Sequence, residues 1–240
     1  MNIKVLYEDN HIIAVYKPAG VLTQPSHEAT AWQSKSDISS ASLFEQVKKY
    51  LKEKYNKSGN IFLGLVHRLD KPVSGIVLFG KTSKGASRLS EQFRNHTIQK
   101  TYHAIVVGKP KESKGELKEK INKISFFAEG FTNKTDEELL AAIKGATKTR
   151  TAELSYEVVK FNNEYSLLKV LPKTGRFHQI RVQMNEMGCP ILGDVKYSNQ
   201  KPLPDGSIAL CATAIEFKTA TTEQSVKLEI PLPESWRKYI

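Results

Sequence analysis

Residues 65–82, LVHRLDKPVSGIVLFGKT, set one carboxylate, Asp70, between two cations, Arg68 and Lys71, just ahead of a proline and an apolar run. An aspartate so placed suits a nucleophile or a stabiliser of developing positive charge. Both roles require it ionised, and a neighbouring cation favours that form. If VHRLD is extended, alternation puts Val66, Arg68 and Asp70 on one face and His67 and Leu69 on the other. Taken alone, such a tripeptide is more often a surface ion pair before a turn, worth about 0–1 kcal/mol.

Two further stretches carry groups of interest. LPKTGRFHQIRVQM, residues 171–184, holds Arg176, His178 and Arg181 after a Thr-Gly turn. By itself it reads as a basic helix start with its cations in solvent. IQKTYHAIVVG brings Lys100 and Tyr102 into an apolar strand. A single tyrosine at a strand start is more often packing than catalysis.

Their combination is more specific. HRLDKPVSG, KTYHAIV and TGRFHQIRVQMNEMGCPILGD stand in the order and at roughly the separations found in the RluA-type family of RNA pseudouridine synthases, and VYKPAGVLTQPS resembles that family's opening motif. The resemblance runs from about residue 3 to about residue 232. It implies isomerisation of uridine to pseudouridine within an RNA chain, with no metal and no organic cofactor. Asp70 corresponds to the family's catalytic aspartate, which either attacks C1′ of the ribose or assists formation of a glycal. Tyr102 corresponds to the tyrosine that stacks on uracil and is a candidate base for the C5 proton, a demanding role for a phenol of pKa ~10. Arg176 corresponds to the buried arginine that pairs with the aspartate, which keeps the carboxylate charged and oriented once water is excluded.

The target base must leave its stack, at a cost of a few kcal/mol. By resemblance Arg68 enters the space it vacates, since a planar guanidinium stacks where a lysine does not. That task conflicts with Arg68 acting as the fixed partner of Asp70, so the pairing falls to Arg176. His67, His178, Gln179 and Arg181 are the remaining expected substrate contacts. Val73 stands where the family usually has threonine, and VQMNEMGCP replaces the frequent VHLAHIGHP. Neither change touches Asp70, Tyr102 or Arg176.

The elements that must position these groups follow from pattern. IKVLYEDNHIIAVYKPAG reads as two strands around an Asp-Asn turn, and residues 26–40 as a mobile polar loop. SLFEQVKKYLKEKY places Leu43, Val47, Tyr50 and Leu51 on one helical face. SGIVLFGKT and HAIVVGK suit buried strands, and between them SKGASRLSEQFRNH reads as a helix capped by Ser83. Residues 109–150 form a peripheral excursion with one short helix, with Thr135 and Glu138 at capping-box spacing and Gly145 at its end. Strands follow at TAELSYEVVKF and YSLLKVLP, a helix in RFHQIRVQMNEMG, and final strands in IALCATAIEF and SVKLEIPLP. This predicts α+β with a largely antiparallel sheet. The resemblance adds flanking helices and two lobes about a central active-site cleft. Residues 1–240 read as one catalytic domain, with no S4 domain expected, and monomer is the family default.

Lys and Arg number 36 against 25 Asp and Glu, a formal net charge of +11. That excess favours a polyanionic partner, structured RNA above all, either tRNA or 23S rRNA by the resemblance. Its grip is expected from basic segments such as KEKYNKSG and KGELKEKINK, through salt-dependent phosphate contacts. No apolar run approaches the ~20 residues of a membrane span. Two cysteines without CxxC spacing and no signal-peptide pattern point to the cytoplasm. Zinc deamination would need H-x-E with P-C-x-x-C, and a metalloprotease HExxH; none of these occurs. A carboxylate-pair glycosidase would need a second placed acid, which the motifs do not supply. An RNA-binding protein without catalysis would share the binding motifs but has no need of Asp70, Tyr102 and Arg176 together.

Overall fold

The computed structural model describes residues 3–25, 41–121 and 150–240. The first half of the chain forms β1 (Lys4–Glu8), β2 (Ile12–Lys17), α1 (Leu43–Lys54), β3 (Gly64–Leu65), β4 (Ser74–Gly80), α2 (Ser83–Arg94) and β5 (Gln99–Val107). The second half forms β6 (Lys114–Ile121), β7 (Arg150–Phe161), β8 (Tyr165–Pro172), α3 (Gln179–Glu186), β9 (Leu210–Lys218) and β10 (Ser225–Glu229), with a 3-10 turn at Glu234–Lys238.

β2 and β4 are apolar in both phases of the strand alternation. Ile13, Val15, Val77 and Phe79 enter one core, while Ile12, Ala14, Ile76 and Leu78 enter another on the opposite face. A strand of that kind must be covered on both sides. α1 covers the first face with Leu43, Val47 and Leu51, each worth about 1.5–3 kcal/mol when buried. α3 adds Ile180 and Met184 to the same core, and α2 covers the second with Leu89. α1 starts at a capping box in which Ser42 and Glu45 satisfy each other's backbone N–H groups. α2 is capped by Thr82, not by Ser83, which is already helical; the Thr82 hydroxyl accepts from the Gly85 amide.

The strands form one mixed sheet in the order β1-β2-β4-β9-β5-β8-β7-β6, with β3 on β4 and β10 on β9. Every pairing is antiparallel except β4 with β9. That parallel seam is two pairs long, Ser74 with Cys211 and Gly75 with Ala212, and it joins two antiparallel halves. Gly75 takes φ +132°, and a Cβ there would lie 2.5 Å from the backbone of Ala212, so only glycine lets the halves approach this closely.

Three expectations need correction. Residues 66–70 are not a strand: pairing stops at Leu65, and the chain crosses to β4 as a loop. The third helix begins only at Gln179, because His178 takes a left-handed backbone, φ 50°. KGELKEKI, read as part of the peripheral excursion at 109–150, is the edge strand β6. Its charge conceals it, but Lys114 and Lys118 meet Glu157 and Glu153 of β7 at 2.9 Å, and lysines on an edge discourage further pairing. The loop at 26–40 and the short helix about Thr135, Glu138 and Gly145 lie outside the described residues.

Candidate active site

The loop that carries Asp70 is fastened on both sides by the segment after β2. The buried Thr23 hydroxyl donates to the Leu69 carbonyl at 2.8 Å and accepts from the Leu69 amide at 3.1 Å. Beyond Asp70, the Lys71 carbonyl accepts from the Gly20 amide at 2.8 Å and from Nζ of Lys17 at 3.2 Å. Lys17 is fully buried and also donates to the carbonyls of Pro18 and Val21, at 3.0 and 2.7 Å. Burial pushes its ammonium down to about 8, with Asp70 pulling the other way. The Val73 amide closes a turn back to the Asp70 carbonyl.

The cation that faces Asp70 is Arg181, not Arg176. Nε and Nη2 of Arg181 grip Asp194 at 2.7 and 2.8 Å, and its third nitrogen, Nη1, lies 3.4 Å from Oδ2 of Asp70. Arg176 sits on the turn before α3, half-buried, and its Nε donates to the Thr151 carbonyl on β7. The reason is helical: Arg181 lies in the first turn of α3 and is buried there, where Arg176 precedes the helix. Nor do the cations win outright. Burial pushes the Asp70 carboxyl above the usual aspartate range, and Arg181, Arg68 and Lys17 only pull it part of the way back.

His178 is the second neighbour of that carboxylate, with Nε2 3.4 Å from Asp70 Oδ2. Its Nδ1 lies 2.6 Å from the Tyr197 hydroxyl, and its ring stacks on Phe177 at 3.8 Å. Burial, then Arg181, Lys196 and Arg68, push its imidazole down to about 3, so it is neutral at physiological pH. Tyr102 on β5 lines the same cavity, and burial, then the charge of Asp70, drive its phenol well above the ordinary range. A resting phenolate at Tyr102 is therefore disfavoured.

Two expected substrate contacts are committed elsewhere. The His67 ring lines the cavity, but its Nε2 accepts from the Leu78 amide at 2.9 Å and its face packs on Phe93. Gln179 is buried, and its side-chain oxygen accepts from the Thr174 hydroxyl and the Arg176 amide while its nitrogen donates to the Glu153 carbonyl. It holds the 174–176 turn against β7. Arg68 is exposed on the rim, its guanidinium 5.9 Å from the Phe177 ring centre.

These groups line a cavity of about 530 Å³ at the seam between the sheet halves. Among its described lining residues Asp70 is the one carboxylate, against Arg68, Arg94, Lys100, Arg176 and Arg181. By contrast, several cations of the two basic segments are already answered: Lys54 by Glu8, Lys114 by Glu157 and Lys118 by Glu153. A desolvated acid beneath a cationic rim suits attack on, or proton removal from, a sugar carried by a polyanion. Sequence reasoning missed Lys17, Thr23, Asp194 and Tyr197. Asp194 lay in the quoted ILGD, but nothing in the spacing joins it to Arg181.

The family model described as RNA pseudouridylate synthase matches residues 11–186. A ribosomal large subunit pseudouridine synthase C of Rickettsia bellii is 34% identical over 236 residues, covering 98% of this chain and 70% of the relative. A tRNA pseudouridine synthase C of Vibrio cholerae is 31% identical over 246 residues, covering 98% of this chain and 93% of the relative. Among solved structures, human RNA pseudouridylate synthase domain containing 4 superposes with a TM-score of 0.72 at 22% identity, covering 97% and 90% of the two chains. At that identity the likeness speaks for the fold alone.

Proposed function

The chain belongs to the RNA pseudouridylate synthase family, and from that premise we propose how its cleft converts uridine to pseudouridine within RNA. The net reaction breaks the bond from N1 to C1′, makes one from C5 to C1′, and moves a hydrogen from C5 to N1. Asp70 is the group that acts at the ribose, either as nucleophile at C1′ or as the base that leaves a glycal. The observation that carries this reading is one carboxylate, desolvated and faced by Arg181, at the bottom of a cleft rimmed by cations.

Each neighbour then has a task. Arg181 orients Asp70 and holds part of the population ionised against the pull of burial. Tyr102 stacks on uracil as a neutral phenol, a role its raised pKa favours over that of a resting base. Arg68, exposed beside Phe177, supplies a planar cation to the gap left by the flipped base. Arg94 and Arg176 take backbone phosphates at the mouth of the cleft. The substrate is structured RNA, tRNA or rRNA.

Tritium release from RNA labelled at uridine C5 tests the reading, run on unmodified tRNA and on 23S rRNA with wild type and Asp70→Ala. Release from one pool, abolished by the substitution, is expected. Release that survives in Asp70→Ala removes Asp70 from the mechanism.

A further inference from the structure

The contact between Tyr197 and His178 has no task in that reaction, yet at 2.6 Å it is shorter than the 3.4 Å contacts of the same imidazole with Arg181 and Asp70. We propose that Tyr197 is a positioning residue: its hydroxyl donates to Nδ1 of His178, which leaves the imidazole proton on Nε2, directed at Asp70. The inference rests on Asp70 being the acting carboxylate.

The tautomer follows from which atoms face each other. The Tyr197 oxygen is 2.6 Å from Nδ1, and Nε2 is 3.4 Å from Oδ2 of Asp70. With the proton on Nδ1, the lone pair of Nε2 would face a carboxylate oxygen, and the two acceptors would compete for the one Nη1 of Arg181, 3.4 Å from each. With the proton on Nε2, the phenol donates to Nδ1 and the imidazole to Asp70, and both short contacts pair a donor with an acceptor. At 3.4 Å the second contact is long, as catalytic hydrogen bonds commonly are before substrate closes the site.

The surroundings hold the ring in this orientation. Phe177 stacks on it at 3.8 Å and 16°, and Tyr197 meets it edge-on at 5.6 Å and 85°. Nη1 of Arg181 lies 3.4 Å from both ring nitrogens, and the Arg181 guanidinium also sits 5.0 Å from the Tyr197 ring centre. Among the described residues, the charged groups that act on the imidazole include Arg181, Lys196 and Arg68, with Asp70 opposite, and the three cations favour the neutral ring. The backbone contributes too: His178 occupies the N-cap of α3 in a left-handed conformation and caps no amide with its side chain. Such a conformation is unfavourable for a non-glycine residue, and it points the imidazole at Asp70 and Tyr197 instead of along the helix.

Asp70 Oδ2 is thus offered two donors of different kinds, a cation from Arg181 and a neutral N–H from His178. The neutral donor stabilises the carboxylate without leaving a stranded charge when Asp70 becomes esterified or protonated. Loss of the Tyr197 hydroxyl frees the imidazole to exchange tautomers, and half of the support is withdrawn whenever the proton is on Nδ1.

Nitrogen-15 NMR of the imidazoles in RNA-free protein reads the tautomer directly, with the His178 signal assigned by its absence in His178→Gln. The proton is expected on Nε2 in wild type and distributed over both nitrogens in Tyr197→Phe. Turnover by Tyr197→Phe should fall in proportion to the share of the proton that moves to Nδ1, about twofold for an even distribution. KM for RNA should be unchanged, and the acid limb of kcat should move to higher pH. His178→Gln, whose amide nitrogen reaches the place of Nε2, should retain more activity than His178→Ala. A wild-type proton on Nδ1 overturns the inference, as does Tyr197→Phe with wild-type kcat and acid limb. If instead Asp70→Ala stays active, the functional reading fails, and the tautomer spectrum still decides the role of Tyr197.

Discussion

Arg181 is shared unequally between two carboxylates: a two-pronged grip on Asp194 at 2.7 and 2.8 Å, and a single nitrogen 3.4 Å from Asp70. The inequality fits the two acids' tasks. Asp194, buried and fixed after the Gly193 turn, sets the plane of the guanidinium. Asp70 receives a cation already oriented, but not one that neutralises it in a tight ion pair. A carboxylate held that loosely remains available to a ribose.

Removal of Asp194 should therefore be costly to the fold. Asp194→Ala leaves a buried guanidinium without its main partner, a change worth about 3–5 kcal/mol. Urea denaturation measures it, and a loss under 1 kcal/mol would mean that the fork is not what orders Arg181.

Asp70 should show the opposite behaviour. Folding raises its pKa above the ordinary aspartate value, so the folded chain binds that proton more tightly than the unfolded one. At neutral pH the ionised, buried carboxylate costs stability, and the cost fades as pH falls toward the unfolded value of 3.8. Asp70→Asn should then melt higher than wild type at neutral pH, with the gap closing in acid, while pseudouridine formation is lost. A melting point below wild type at neutral pH contradicts the sign of the shift.

Arg176 and Arg181 separate by their contacts. Arg176→Ala removes a half-buried rim cation bonded to the Thr151 carbonyl, and Asp70 keeps its neighbour. We expect weaker RNA binding, with the slope of log K against log salt reduced by about 0.7–0.9, and an unmoved acid limb of kcat. Arg181→Gln should move that limb to higher pH, because Asp70 loses the cation that most lowers its pKa. Equal shifts in both variants would return Arg176 to the pairing.

What the sequence made legible was whatever depends on local pattern. The two strands of IKVLYEDNHIIAVYK, the buried strand of SGIVLFG and the single helical face of Leu43, Val47 and Leu51 all appear as read. The family resemblance placed Asp70 and Tyr102 in one cavity. Choosing between Arg176 and Arg181 was beyond it, since that depends on where α3 starts, and the start is set by one left-handed residue, His178. β6 escaped for a related reason. Its charges make sense only against Glu153 and Glu157, more than thirty positions away. Tyr197, Thr23 and Lys17 are likewise defined by long-range contacts that no spacing rule reports.

The hold on the Asp70 loop gives the last prediction. Thr23 uses one hydroxyl twice, donating to the Leu69 carbonyl and accepting from the Leu69 amide. Thr23→Val keeps the shape of the side chain and removes both bonds, leaving a buried N–H and C=O unanswered at about 1–3 kcal/mol. Because Leu69 adjoins Asp70, the loss should loosen the loop as well as the fold. Amide exchange at Leu69 should accelerate by more than global unfolding accounts for, and kcat should fall while KM stays near wild type. Lys17→Met tests the other side: it strands the Pro18 and Val21 carbonyls and takes one of two donors from the Lys71 carbonyl, and it should destabilise more than Thr23→Val. If Leu69 exchange in Thr23→Val tracks global stability alone, the hydroxyl serves the fold and not the placement of Asp70.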